Sequence, residues 1–200
     1  DVELDFRFSN GYTLIKVLFI SNDMLESEDE EKWLSQIVLA IGDALALGLD
    51  DAILNGGGKE AGQPEGIITN IPETNKVTVT APTTLYEILS PIKLVDSGKL
   101  NQNEIVAVVN RNTYYDKLFE LLLDCNNPTV LPRFIISYAM EENQVLFADL
   151  SKYTVIQRGK VSFAKSRHFR FLGDETGFKG RTNFDGTPTR KEAFALVTLE

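Results

Sequence analysis

The chain has 200 residues, a formal net charge of -9, 43% hydrophobic residues and 10% aromatic ones. That apolar content fills a core and excludes disorder, while the acidity excludes a wholesale nucleic-acid binder, whose phosphate-facing domain carries net positive charge. No apolar run reaches the roughly 18 residues of a membrane span, the acidic start DVELD is unlike a signal peptide, and Cys125, the single cysteine, reads as a buried structural thiol with no partner for an internal disulfide.

Val2, Leu4, Phe6 and Phe8 alternate with Asp1, Glu3, Asp5 and Arg7, which predicts a strand with one wet face. Asn10-Gly11 suits a tight hairpin turn, and the return run Tyr12 to Ile20 is apolar on both faces apart from Thr13 and Lys16, so it is expected to lie deeper than its partner. A chain opening directly on a strand reads as cut from something longer. Ser27 to Leu54 follows as one long helix. Ser27 and Glu30 have capping-box spacing, and Glu28, Asp29, Glu30 and Glu31 set negative charge on the positive end of the helix dipole. Leu34, Ile37, Val38, Ile41, Leu45 and Leu49 recur at steps of three and four, with Trp33, Ala40, Ala44 and Leu47 in an adjoining stripe, so more than half the circumference is apolar. At 1.5 Å per residue this helix is roughly 40 Å long, a beam suited to an extended, flat protein.

Asn55 and Gly56 to Gly58 are expected to end the helix in a left-handed cap. The Gly-Gly-Gly-Lys within Asn55 to Gly66 is not a phosphate cradle: it follows a helix rather than a strand, and Lys59 precedes Glu60 rather than Ser or Thr. Beyond it, a turn forms around Pro72, with a short strand Val77 to Ala81. Thr84 and Glu87 predict a capping box for a helix that Pro91 kinks or ends. Ile105 to Val109 suits a central strand, after which Asn110 caps a helix from Arg111 to Cys125. Phe134 to Met140 and Val145 to Ala148 flank a polar hairpin tip at Glu141 to Asn143, and Tyr153 to Arg158 and Lys160 to Ala164 flank Gly159 in the same way. Thr176 to Glu200 reads as two strands around an Asp185-Gly186 hairpin.

Charge is unevenly spread. Residues 1–50 hold 11 acids and 3 bases, residues 51–150 hold 13 and 7, and residues 151–200 hold 5 and 10. An acidic front and a basic tail attract each other across copies, as a uniformly acidic surface cannot. Chemistry, by contrast, is thinly represented. Nucleophilic catalysis needs a base beside its nucleophile, and the one histidine, His168, lies in the basic run Ser166 to Arg170, where it reads as an ordinary strand residue. One His and one Cys cannot build a zinc tetrahedron of the usual kind. The carboxylates of Asp50-Asp51 and Glu141-Glu142 sit on adjacent positions that face apart, which makes poor acid and base partners. No cofactor is called for, and the weight shifts to a structural, self-associating protein that is not an enzyme.

The order of several short motifs resembles the major capsid proteins of tailed bacteriophages, the Hong Kong 97-like fold shared with encapsulin shells. Leu18 to Leu25 is similar to the entry into the family's spine helix. Asp51 to Gly56 with Gln63 to Ile68 resembles the helix exit, an acid, Ile-Leu-x-Gly and then Gln-Pro-x-Gly-Ile. Val108 to Thr113 is similar to a strand-to-helix step. Phe147 to Tyr153 resembles Phe-Gly-Asp-x-x-x-Tyr with Ala148 in place of glycine, and Arg181 to Gly186 with Glu192 to Ala195 looks like the closing motif.

The resemblance implies an α+β fold with a long spine helix, a peripheral-domain sheet and an inserted mixed α/β axial domain. Residues 1–80 would form the peripheral domain, with the returning strand of an extended loop and the spine helix 27–54; residues 81–170 would form the axial domain, and 171–200 the closing peripheral strands. It implies a virion protein, N-terminally truncated relative to the family, that assembles with itself through pentamers and hexamers into an icosahedral shell around phage or prophage double-stranded DNA. The DNA would be held without sequence specificity, and scaffold, portal or protease would be partners in the bacterial host cytoplasm, with no membrane. No covalent crosslink is expected. Glu28, Asp29, Glu30 and Glu31 on one side and Lys179, Arg181, Arg190 and Lys191 on the other are the candidate subunit contacts. An encapsulin-like compartment is the alternative, and an α/β enzyme or a monomeric binding module the remote ones.

Overall fold

A computed structural model describes residues 11–27, 30–82, 84–98, 105–123 and 131–200. The expected first strand and Cys125 lie outside these residues. The chain divides into two compact units, Asp1–Leu49 with Val155–Asp185 and Asp50–Thr154 with Gly186–Glu200.

The first unit holds strand β1 (Tyr12–Ser21), helix α1 (Asn22–Ser27) and most of helix α2 (Glu30–Asn55). It also holds most of β6 (Tyr153–Gln157) and β8 (Glu175–Pro188), and all of β7 (Ser162–Arg170). β8 is the centre of the sheet. It pairs antiparallel with β1, from Tyr12 opposite Phe184 to Ser21 opposite Glu175, and with β6 and then β7 along its other edge. Period-two alternation sends Phe178, Gly180, Thr182 and Phe184 of β8 inward and leaves Lys179 and Arg181 exposed. Helix α2 lays Ile37, Ile41 and Leu45, four apart, onto that inward face, where they form a buried cluster with Leu25 and Phe178. A side chain at Gly180 would collide with Ile41 Cγ2, so glycine sets how closely helix and strand approach.

The second unit is a five-stranded sheet in the order β2-β9-β5-β3-β4, formed by Lys76–Val79, Phe194–Leu199, Gln144–Ala148, Val106–Val109 and Arg133–Ile136. Its inner strands are apolar on both faces, as expected where a sheet is covered on both sides. Ala107, Val109, Val145, Phe147, Ala195 and Val197 form one core with Ile88 and Leu118. Val108, Leu146, Ala148, Phe194 and Leu196 form another with Leu54, Ile67 and Ile71. Helix α3 is Ile67–Asn70 and α4 is Leu85–Leu89, which opens on the expected Thr84–Glu87 capping box and gives way to a 3-10 turn at Ser90–Leu94 containing Pro91. Asn110 caps α5 (Arg111–Thr113), its side chain accepting from Asn112 N–H, and a π-helical turn at Tyr114–Leu118 leads into α6 (Phe119–Leu123).

The two compact units divide the chain at 49/50, 154/155 and 185/186, and the domains expected from the resemblance at 80/81 and 170/171. Several expectations about the elements need correction. Strand β2 pairs in parallel with β9, Ile67 and Ile71 are buried in the second unit, and β6 and β7 pair with β8 in the first. The closing strand β9 is interior to the second unit's sheet, between β2 and β5, because Phe194 to Leu199 is apolar on both faces. Asp185-Gly186 makes no hairpin: β8 runs through it, and the bare Gly186 accommodates the Tyr153 ring, which a Cβ would strike. Gly159, at φ 77°, joins β6 to β7 along one edge of β8 rather than pairing them. Glu141 to Asn143 likewise joins strands that do not pair, since β3 lies between β4 and β5. Of the three glycines after α2, only Gly58 has a positive φ, 76°. Finally, β1 has no fully buried residue, and α2 leaves Val38, Leu39 and Leu47 exposed, so only one stripe of the helix is covered.

Candidate subunit interface

The predicted contact residues fall into three groups. Glu28 and Asp29 lie outside the described residues, Glu30 opens α2, and Glu31 is exposed beside it. Lys179 and Arg181 are brought together on the outer face of β8, opposite Val17 and Ile15 of β1 and Ala164 and Ser162 of β7. Arg181 Nε also donates to Asn183 Oδ1 at 3.4 Å. Arg190 and Lys191 belong to the other unit, where Arg190 forms an ion pair with Asp96 and Lys191 is exposed on a 3-10 turn.

Sequence reasoning missed the apolar part of this surface. On the outer face of the first sheet an open hollow of 420 Å³ is lined by Val17, Phe19, Phe169, Gly177, Lys165 and Lys179, among others. Gly177 contributes no side chain, and Phe19 and Phe169 stack beside it with ring centroids 5.9 Å apart. The Arg170 guanidinium lies 4.0 Å from the Phe19 ring centroid and donates to Glu175 Oε2 at 2.9 Å. At the end of the same sheet, the connection from β7 to β8 exposes Phe171 and, completely, Leu172. Its base is fixed: Asn22 N–H donates to Asp174 O, Asn22 Oδ1 accepts from Thr176 Oγ1 at 2.6 Å, and Asp174 takes φ 49°. The signal in the chain was Phe171-Leu172 directly before the turn pair Gly173-Asp174, two large apolar residues where polar ones are usual.

The other chemistry-bearing residues are used structurally. Asp51 Oδ1 accepts from Asn55 Nδ2 at 2.8 Å, Glu142 Oε1 from Asn112 Nδ2 at 2.7 Å, and Glu141 Oε2 from Gln144 Nε2 at 2.8 Å. His168 is exposed on β7, its backbone N–H directed at Ser166 Oγ. Among the described residues, no helix is long and apolar enough to cross a membrane.

A family model described as the phage capsid family matches residues 12–199. The chain belongs to the phage capsid family. It is a structural capsid protein of the virion rather than an enzyme, and it has the Hong Kong 97-like fold. Among solved structures it is similar to the capsid of an empty GTA particle, with a TM-score of 0.69 at 16% identity over 96% of this chain and 74% of that one. It is also similar to a chain of Mycobacterium phage Bobi, with a TM-score of 0.72 at 11% identity over 95% and 72%. A virus-like particle from Pyrococcus furiosus gives 0.62 at 12% over 92% and 75%. The fold alone is thus shared by more than one kind of shell, and the family match favours the phage capsid reading over the encapsulin-like one. A search of curated protein sequences finds no match. As a capsid protein it assembles with copies of itself.

Proposed function

We propose that the chain is the major capsid subunit of a tailed phage or prophage, gathering as pentamers and hexamers into an icosahedral shell around double-stranded DNA. The observation that carries this is the match over residues 12–199, nearly the whole chain. On this reading the first unit is the peripheral domain and the second the axial domain. Scaffold, portal and protease act with it in the host cytoplasm, and DNA is held without sequence specificity. Contacts between copies set the acidic run Glu28 to Glu31 against basic side chains of a neighbour, with Lys179, Arg181 and Lys191 exposed for that role and Arg190 next to Lys191 in sequence. Each exposed ion pair contributes only ~0–1 kcal/mol, but repetition through a shell lets such pairs select register.

The test is electron microscopy with light scattering of the full-length gene product, unaltered and with Glu30→Lys and Glu31→Lys. Closed particles or rings of five and six from the unaltered protein, and their loss from a still-folded variant, are expected. An unaltered protein that stays monomeric with and without its scaffold overturns the assembly reading. Equal assembly of both proteins overturns the charge contacts alone.

A further inference from the structure

One end of the first unit carries two features of opposite character. The first is the hollow, apolar at its floor through Val17, Phe19 and Phe169 and cationic at its edge through Lys179, with Arg181 two residues further along the same face of β8. The second is a knob made of the β7–β8 connection and α1, tied together at Asn22 and Asp174. Leu172 is fully exposed there, Phe171 is 78% exposed and Met24 is 47% exposed. Around them the described charges of α1 are the exposed Asp23 and Glu26, with no base between Ser21 and Glu31.

Large apolar side chains held in water on an anchored turn mark an interaction site rather than ordinary surface. The turn is anchored at its base by hydrogen bonds from Asn22 and by the Arg170–Glu175 pair. A cavity of about 150 Å³ accepts a benzene ring, so 420 Å³ has room for side chains of the size of Phe and Leu together. The hollow therefore matches the knob in size, in apolar character and, at the rim, in charge of opposite sign.

We propose that the hollow is the seat for the knob of a second copy of this chain, Leu172 and Phe171 entering it while Asp23 and Glu26 face Lys179 and Arg181. Knob and hollow are different patches, so each copy gives its knob to one neighbour and receives that of another, a heterologous contact of the kind that closes into rings. The inference rests on the assembly reading above and adds to it a specific pair of surfaces.

Two experiments on the full chain test it. In a Cys125→Ser background, chains carrying Leu172→Cys are mixed with chains carrying Ala164→Cys, a residue of the hollow wall, and oxidised with diamide. A disulfide-linked dimer that appears only in the mixture is expected. In parallel, Leu172→Asp is expected to lower the particle yield at least tenfold with an unchanged melting temperature, since Leu172 touches nothing that folding buries. Lys179→Glu is expected to do the same, and Asp23→Lys in mixed copies to recover part of the yield. Particles formed by the unaltered chain, with Leu172→Asp yielding as many and no mixed disulfide, would overturn this inference alone. No particle or oligomer from the unaltered chain overturns it together with the assembly reading.

Discussion

Ile41 of α2 packs against the bare backbone of Gly180 in β8, at the centre of the buried cluster that holds the long helix to the first sheet. A methyl group there has no room unless helix and strand separate. Gly180→Ala is therefore expected to destabilise the dissociated subunit by about 1–3 kcal/mol, the usual cost of overpacking, read as a lower urea midpoint at unchanged slope. An unchanged midpoint would show that the helix is free to shift.

Asn75 ties segments of the second unit together by hydrogen bonds. It is buried, and its Nδ2 donates to Leu94 O at 3.2 Å, Glu192 O at 3.3 Å and Phe194 O at 3.0 Å. Three carbonyls from two distant segments share one amide. Asn75→Ala leaves them without that donor and is expected to cost about 1–3 kcal/mol, with amide exchange quickening first around 192–194.

Asn110 allows a finer test. Its Oδ1 accepts from Asn112 N–H at 2.9 Å as a helix cap, and its Nδ2 donates to Met140 O at 2.8 Å. Asn110→Asp keeps the cap and loses the donor, whereas Asn110→Ala loses both. The alanine variant is expected to lose about 1–2 kcal/mol and the aspartate variant less; equal losses would mean that the Met140 bond dominates.

The basic candidates should separate by their engagement. Arg190 already pairs with Asp96, while Lys179 and Arg181 share one exposed face. Lys179→Glu with Arg181→Glu is expected to reduce particle formation strongly, and Arg190→Ala only weakly, with less than ~1 kcal/mol of subunit stability lost. Sedimentation of assembled and unassembled fractions measures both, and an equal effect would mean that Arg190 leaves Asp96 on assembly.

What was legible in the chain was whatever depends on neighbours in sequence. The Thr84–Glu87 capping box and the Asn110 cap are local hydrogen-bond patterns, and both formed as expected. The apolar run Ile105 to Val109 announced an interior strand because burial on both faces leaves no alternation. Strand partners were less legible. Gly186 looks like a turn glycine, but its bare backbone is explained by Tyr153, 33 positions earlier, and no local pattern reports so distant a ring. The charged half of the candidate interface was visible as composition. Its apolar half was not, because Phe19, Phe169 and Gly177 come together only once β1, β7 and β8 are in register.

The interior position of β9 has a consequence for the order of synthesis. Strand β2 pairs with β9, and β5 pairs with β9 on its other side, so among the described residues the sheet links the two stretches through residues 194–199. A nascent chain released as far as residue 190 holds the two halves of that sheet unlinked and both cores open to water. Closure thus waits for β9, which leaves the ribosome after both of its partners and then slides between them.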